Sequence, residues 1–91
     1  MFDFLKQKVY TKDGRKFAVR FERGKVFVGT TYLVSSMASQ MIVQDEMSRL
    51  GWEQILMFRD LFVDGFPTIG LCFNVPEHTN ARRAMKKLFA G

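Results

Sequence analysis

Apolar and polar residues alternate on both sides of Asp13 and Gly14, and this pattern predicts a β-hairpin. An Asp-Gly pair favours the tight turn because both central residues of a type I′ turn have positive φ angles. A second turn at Arg23 and Gly24 leads into a third strand, 25–28. Two-residue loops at both turns predict four opposed pairs: Tyr10 with Phe17, Val19 with Val28, Phe21 with Val26, and Glu22 with Lys25.

This register gives the predicted three-stranded sheet two different faces. One face is apolar and contains Tyr10, Phe17, Val19, Phe21, Val26 and Val28. The opposite face is mixed and basic and contains Thr11, Lys16, Ala18, Arg20 and Phe27. A slip of one residue would mix the two sets, so their separation supports the register. We expect other elements to cover the apolar face and the basic face to stay exposed.

The residues from about 31 to 50 favour a helix. Good helix formers such as Gln40 and Met47 are frequent there, and Gly51 stands where a helix C-terminus is often capped. The apolar residues form two stripes rather than one, which indicates two buried contacts or a shorter helix. A serine cluster offers alternative N-caps, so the first residue of the helix stays open: Ser35, Ser36 and Ser39.

The segment 52–75 is compatible with two structures. In the first structure, the first half of the segment is a helix. In the second, it is a strand that pairs with 68–73 through a turn at Asp64 and Gly65. We favour the hairpin, because a two-residue loop aligns the apolar residues on one face: Leu56, Phe58, Phe62, Ile69, Leu71 and Phe73. Asp60 falls on the same face, which counts against this pairing.

Pro76 and Glu77 predict the start of a final helix, since proline is favoured in the first turn and an acidic residue suits a helix N-terminus. The predicted element order is therefore βββαββα. We expect a single domain over residues 1–91 with an α+β fold. Its architecture is a two-layer sandwich, in which a mostly antiparallel five-stranded sheet carries two helices on one face. The predicted core combines Leu88 and Phe89 with residues of both hairpins: Phe17, Val19, Phe21, Val26, Phe58, Leu71 and Phe73.

Composition supports a folded, basic protein. Of the 91 residues, 47% are hydrophobic and ten are Phe, which is enough for a core. The net charge of +5 at pH 7 favours acidic partners, and the single cysteine excludes an internal disulfide. Neither a secretory signal nor an apolar stretch near the roughly 20 residues that span a bilayer is visible. We therefore expect a cytoplasmic protein with no membrane partner.

Candidate catalytic and metal-binding chemistry is sparse. Cys72 and His78 are the only cysteine and histidine, and their spacing matches no zinc site, which needs three or four ligands. A Cys–His nucleophile needs a third group to orient it, and none is evident. The sequence contains no glycine-rich phosphate loop. We expect no cofactor, no metal and no enzymatic activity; an enzyme that uses Cys72 and His78 is the third hypothesis.

The predicted partner-binding residues belong to two groups. Four cations share one face of the last helix at helical spacing: Arg82, Arg83, Lys86 and Lys87. Three residues lie on the sheet face that we expect to be exposed: Lys16, Arg20 and Phe27.

Together these groups predict a small non-enzymatic binding or regulatory module that engages an acidic protein surface or complex. The alternative is a nucleic-acid-binding protein, since cations interleaved with an aromatic ring suit a single strand. The aromatic signature of the RNA-recognition motif is not in the sequence, so that route to RNA is not supported. A short chain with an exposed sheet face also gains core by pairing, so we expect a homodimer.

Overall fold

The computed structural model describes residues 7–12, 14–30 and 36–90, with side chains described for 7–12, 14–29 and 41–90. The elements, in chain order, are β1 (Gln7–Lys12), β2 (Arg15–Glu22), β3 (Lys25–Thr30), α1 (Ser36–Arg49), β4 (Gln54–Val63), β5 (Phe66–Asn74) and α2 (Ala81–Phe89). This order confirms the predicted α+β fold. The possible start of the first helix at residues 31–35 lies outside the described residues.

The five strands described here pair antiparallel in the order β1-β2-β3-β5-β4. Tyr10 lies opposite Phe17, and the three pairs predicted between β2 and β3 are all present. Gly14 and Gly24 have φ angles of 74° and 71°, which glycine adopts more easily than any residue with a side chain. The prediction of the N-terminal register is therefore confirmed.

The second hairpin is also present, so the helical alternative for the β4 segment is wrong. Asp64 and Gly65 connect β4 to β5, and Gly65 has a φ angle of 83°. Phe58 pairs with Leu71, as a two-residue loop requires, but its side chain is 55% exposed, so the prediction that it belongs to the core is wrong. The two-residue loop was thus a sufficient guide to the register near the turn.

Further from the turn, β4 contains a bulge. It advances three residues, from Ile55 to Phe58, while β5 advances only one. Leu56 lies in this bulge with 94% of its surface exposed. The prediction that Leu56 joins the apolar face is wrong, because the bulge puts Gln54 rather than Leu56 opposite Phe73.

The apolar face of the sheet and both helices enclose one hydrophobic core. α1 contributes Val43 and Met47, and α2 contributes Met85 and Phe89. The strands contribute Phe17, Val19, Val26, Val28, Leu71 and Phe73. Both helices therefore lie on the same face of the sheet, as predicted.

α1 ends in a Schellman motif that belongs to this core. Gly51 has a φ angle of 82°, and its N–H donates to the Ser48 carbonyl at 3.0 Å. The Trp52 N–H donates to the Met47 carbonyl at 2.9 Å, which is the second bond of the motif. The Met47 and Trp52 side chains are both buried in the core. The same two residues therefore form a bond of the motif and pack in the core.

The opposite face of the sheet encloses a second core. Its buried members are Ala18, Phe27, Leu61, Val63 and Cys72, with Ile55 packed against them. β4 curls over this face and contacts β2, although the two strands are not neighbours in the sheet. The expectation of an exposed basic face is therefore wrong, because the twisted sheet folds its own edge strand over that face.

The side chain of Gln7 joins β1 to β4 across the curled sheet. Its amide accepts a hydrogen bond from the Phe62 N–H at 2.9 Å and donates another to the Phe62 carbonyl. Phe62 lies opposite Pro67 in the hairpin. Because Phe62 directs its backbone groups towards Gln7, the missing N–H of Pro67 removes no bond from the β4–β5 ladder.

Two glycines allow the strands of the curl to approach each other. A Cβ atom on Gly70 would lie 2.8 Å from Cδ1 of Leu61, and one on Gly29 would lie 2.9 Å from Cγ2 of Thr68. Both distances are shorter than van der Waals contact, so a larger residue at either position would displace the packed neighbour.

Replacement of Phe27 by Ala tests the second core. The Phe27 side chain is 0% exposed, so we expect the free energy of unfolding to fall by about 3–5 kcal/mol. Urea denaturation followed by circular dichroism measures the change. Val9→Ala on β1 is the control, because Val9 is 45% exposed and its loss should cost within about 0.5 kcal/mol. Equal costs for the two variants would contradict a buried Phe27.

Candidate functional site

α2 begins at Ala81 because Asn80 caps it. Asn80 has the extended backbone of an N-cap, with φ −84° and ψ 104°, and its side-chain oxygen accepts a hydrogen bond from the Arg83 N–H at 3.0 Å. This bond satisfies one of the N–H groups that a helix leaves without an internal partner. Asn80 therefore fixes where the basic helix starts.

The predicted start of this helix at Pro76 and Glu77 is wrong. These residues belong to a turn, in which the Thr79 N–H donates to the Pro76 carbonyl at 3.2 Å. His78 has a φ angle of 63°, which is left-handed and cannot continue a right-handed helix. Pro76 therefore marks a turn, whereas the cap at Asn80 determines the first residue of the helix.

The two faces of α2 are separated as predicted. Its apolar side packs on the sheet: Met85 and Phe89 are buried, and Ala81, Ala84 and Leu88 pack against the same core. Its polar side consists of four exposed cations: Arg82, Arg83, Lys86 and Lys87. The helix is therefore held by one side and offers positive charge on the other.

Aromatic contacts fix α2 against β1. The ring of Phe89 stacks on that of Tyr10 with centroids 5.1 Å apart, and it meets the Phe17 ring at 5.0 Å. The Lys12 ammonium donates to the Leu88 carbonyl at 2.9 Å, near the end of the helix where carbonyls lack helical partners. Strand and helix are thus packed against each other at a corner.

Cations from β1 and α2 line a groove at this corner. We call it the cationic groove; its lining residues are Lys8, Tyr10, Asn80, Arg82, Arg83 and Lys86, and its volume is about 350 Å³. Lys87 is exposed but is not among these lining residues. Lys8 is not among the predicted site residues, although its spacing of two from Tyr10 on a strand places both on one face.

Two of the cations lie over aromatic rings. The Arg82 guanidinium carbon is 4.5 Å from the centroid of the Phe21 ring, and the Lys8 ammonium is 5.4 Å from that of Tyr10. A cation over a ring face is attracted by the negative potential of the π-system. These contacts limit where the two side chains lie without neutralising their charge.

No carboxylate compensates the cationic groove among the residues that the structure describes. The ion pairs found in the described chain lie elsewhere: Lys16 with Asp64 at 2.8 Å, Arg20 with Glu22 at 2.8 Å, Arg59 with Glu22 at 3.0 Å, and Arg49 with Glu46 at 2.9 Å. Within the described residues, the positive charge of the groove is therefore not neutralised by an ion pair.

The hydroxyl group of Tyr10 adds a neutral donor to the groove. Burial raises the pKa of this phenol, and the nearby Arg82 acts in the opposite direction. Because the raised pKa lies above the usual value of 10.0, the hydroxyl keeps its proton at neutral pH. It can therefore donate a hydrogen bond to an anion in the groove.

The three predicted site residues on the other sheet face do not join this groove. Phe27 is fully buried in the second core, so its expected role as an exposed ring is wrong. Lys16 and Arg20, on the same face, form ion pairs with Asp64 and Glu22. Their charge is therefore partly neutralised within the chain.

Cys72 and His78 are not arranged as a nucleophile and its base in the described structure. Cys72 is 0% exposed in the second core, and His78 lies in the exposed turn before α2. Burial raises the pKa of the Cys72 thiol, which disfavours the reactive thiolate. Within the described residues, no group of three or more His, Cys, Asp or Glu side chains could hold a metal ion.

Comparison with known proteins provides no further guide to the site. No family model, no curated protein and no solved structure matches this chain. Among the described residues, no helix is both long enough and apolar enough to cross a bilayer.

Substitutions of Asn80 test how the site is held. We expect Asn80→Ala to lower the free energy of unfolding by about 1 kcal/mol, because the Arg83 N–H loses its acceptor. Asn80→Asp keeps an acceptor and adds a negative charge at a helix N-terminus, so stability should be retained. Thermal denaturation of both variants compares the two effects. Equal destabilisation by Ala and Asp would contradict the role of Asn80 as the cap.

Proposed function

We propose that this chain is a small non-enzymatic binding or regulatory module, and that its cationic groove engages an acidic segment of a partner protein. The observation that carries this proposal is the convergence of four cations, Lys8, Arg82, Arg83 and Lys86, without a carboxylate among the lining residues. Positive charge held in this way attracts acidic chains and favours their association. The net charge of +5 adds to the same effect.

An acidic protein segment is favoured over nucleic acid for a structural reason. The nucleic-acid alternative combined the helix cations with Lys16, Arg20 and an exposed Phe27 ring. Phe27 is buried, and the two cations are paired on the far side of the sheet. One face of the Tyr10 ring is stacked on Phe89, and the Lys8 ammonium also lies over the ring, 5.4 Å from its centroid, so the ring is already in contact before a base arrives. The groove therefore lacks the stacking surface that single-strand binders use.

The test replaces the four helix cations with Gln: Arg82, Arg83, Lys86 and Lys87. The probes are a glutamate-rich peptide and random single-stranded and duplex oligonucleotides, compared by fluorescence anisotropy at low and physiological salt. We expect the peptide to bind the natural chain and not the variant, while the free energy of unfolding changes by less than about 0.5 kcal/mol per substitution. Salt should weaken the binding, because the contacts are ionic.

A matched control removes four cations elsewhere: Lys16, Arg23, Lys25 and Arg49, each replaced by Gln. It should keep peptide binding, because none of the four lines the groove. Unchanged peptide binding by the helix variant would overturn the proposal. Tighter binding to oligonucleotides than to the peptide, lost in the helix variant, would overturn it in favour of the nucleic-acid alternative.

A second proposal concerns self-association, and a different surface supports it. Large apolar side chains are exposed along the β4–β5 hairpin: Phe58, Phe62 and Ile69 on one face, Phe66 on the other, and Leu56 and Met57 in the bulge. Exposed apolar groups at this density are typical of an interaction surface. We propose that a second copy of the chain covers them, through a hairpin surface rather than the sheet face first expected.

Charge and the sheet edge favour a second copy as the occupant. On the hairpin, Arg59 pairs with Glu22 and Asp64 pairs with Lys16. Asp60 is exposed opposite Ile69 without an ion pair among the described residues, so the two copies must meet with their Asp60 carboxylates apart. β4 is also an edge strand, and Gln7 occupies its backbone groups at Phe62. The rest of the strand can pair antiparallel with its copy about a twofold axis.

Lysine substitutions on the hairpin test this association. We expect sedimentation of the natural chain to give a dimer mass. The double variant Phe58→Lys, Phe62→Lys should give a monomer mass, because the contact would bury its two added charges. Met41→Lys with Leu50→Lys is the control, because these residues are similarly exposed at 56% and 49% but belong to the α1 region. A monomer mass for the natural chain at high micromolar concentration would overturn the dimer.

A further inference from the structure

The lining of the cationic groove supplies many donors from two directions. Lys8 and Tyr10 are two residues apart on β1, and Arg82 and Lys86 are four residues apart on α2, so each pair shares a face. The two elements meet at the Tyr10–Phe89 stack. An anion in the groove is therefore contacted from the strand on one side and the helix on the other.

The number of charges in the groove exceeds what one carboxylate can neutralise. Four cations line it, together with Tyr10 and Asn80, whose side chains contain a hydroxyl and an amide. A carboxylate carries one negative charge and two oxygens, whereas a phosphate monoester carries about −1.5 to −2 at neutral pH and three acceptor oxygens. Arginine matches such an anion with two parallel N–H bonds. The phosphoryl group fits the donor set better.

Several donors are already held in place before a ligand arrives. Arg82 lies over the Phe21 ring, and the Tyr10 ring is stacked on Phe89. The Asn80 oxygen is used by the helix cap, which leaves the amide nitrogen of the same side chain to donate. A donor that is fixed in advance loses less conformational entropy on binding.

We propose that the cationic groove binds a phosphorylated side chain of the acidic partner segment, an inference that rests on the proposed function. The Arg82 guanidinium, the Lys8 ammonium and the Tyr10 hydroxyl contact its phosphoryl oxygens. β1 is an edge strand that is joined to β4 at Gln7. Beyond Gln7, an extended peptide backbone can lie beside the groove while its side chain enters. Free inorganic phosphate has the same chemistry but lacks this backbone contact.

The test uses one acidic peptide made with Ser, phosphoserine or Glu at its central position. Isothermal titration calorimetry measures binding of each to the full chain, and inorganic phosphate is titrated separately and as a competitor. We expect the phosphopeptide to bind about tenfold more tightly than the Glu peptide, because it forms more charge-assisted hydrogen bonds. Inorganic phosphate alone should bind more weakly than the phosphopeptide.

Three variants assign this preference to the groove. Lys8→Gln changes the strand side alone, and Arg82→Gln changes the helix side alone; each should reduce the phosphoserine preference. Asn80→Asp should abolish it, because a carboxylate then stands among the cations while the helix cap is kept. Arg23→Gln, outside the groove, is the control and should leave the preference unchanged. Circular dichroism confirms that each variant is folded, and Lys8→Gln leaves α2 itself unaltered.

The outcomes separate this inference from the proposed function. Equal binding of the Glu and phosphoserine peptides would overturn the phosphoryl site and leave the proposed acidic partner standing. No binding of any of the three peptides would overturn both. Inorganic phosphate that binds as tightly as the phosphopeptide would overturn the phosphorylated protein segment as the ligand. A preference that survives all three groove variants would mean that the phosphate binds elsewhere, and would overturn the assigned site.

Discussion

The rest of the structure depends on one constraint: a single five-stranded sheet buries apolar side chains on both of its faces. Val26, Phe27 and Val28 are consecutive in β3 and all are buried, so apolar material must lie above and below the strand. Two helices cover one face. On the other, the sheet supplies the cover itself, as Leu61 and Val63 of β4 pack on that side. The curl of the sheet is therefore the way a short chain completes two cores.

This curl decides which residues remain for function. It removes Phe27 from the surface and brings Arg59 to an ion pair with Glu22. One sheet face is therefore buried, and charged residues at its border form ion pairs. Neither core covers all of the β4–β5 hairpin, so its Phe58, Phe62 and Phe66 side chains stay exposed. The described surface is consequently divided between an uncompensated positive groove and an apolar hairpin. Such a division suits two different contacts better than one.

Local signals in the sequence were sufficient for the fold and for half of the site. The Asp-Gly turns and alternating residues predicted the pairing of Tyr10 with Phe17, because register depends on nearby residues. They could not predict the bulge at Leu56 or the contact of Lys8 with the helix, which depend on long-range packing.

The burial of Phe27 does have a sequence signal, because strands buried on both faces contain continuous apolar runs. The start of α2 was misplaced because Pro76 and Asn80 are both helix-start residues, and only the backbone of His78 decides between them.

The groove and the core share the same contacts, which links binding to folding. α2 has nine residues, and a helix of that length is not stable alone in water. Its position depends on the stacking of Phe89 on Tyr10 and on the bond from Lys12 to Leu88. The cations of α2 therefore meet Lys8 only when the helix is packed on β1. A ligand that bridges the two elements binds the native chain and not the unfolded one, so its binding energy adds to the stability of the docked helix.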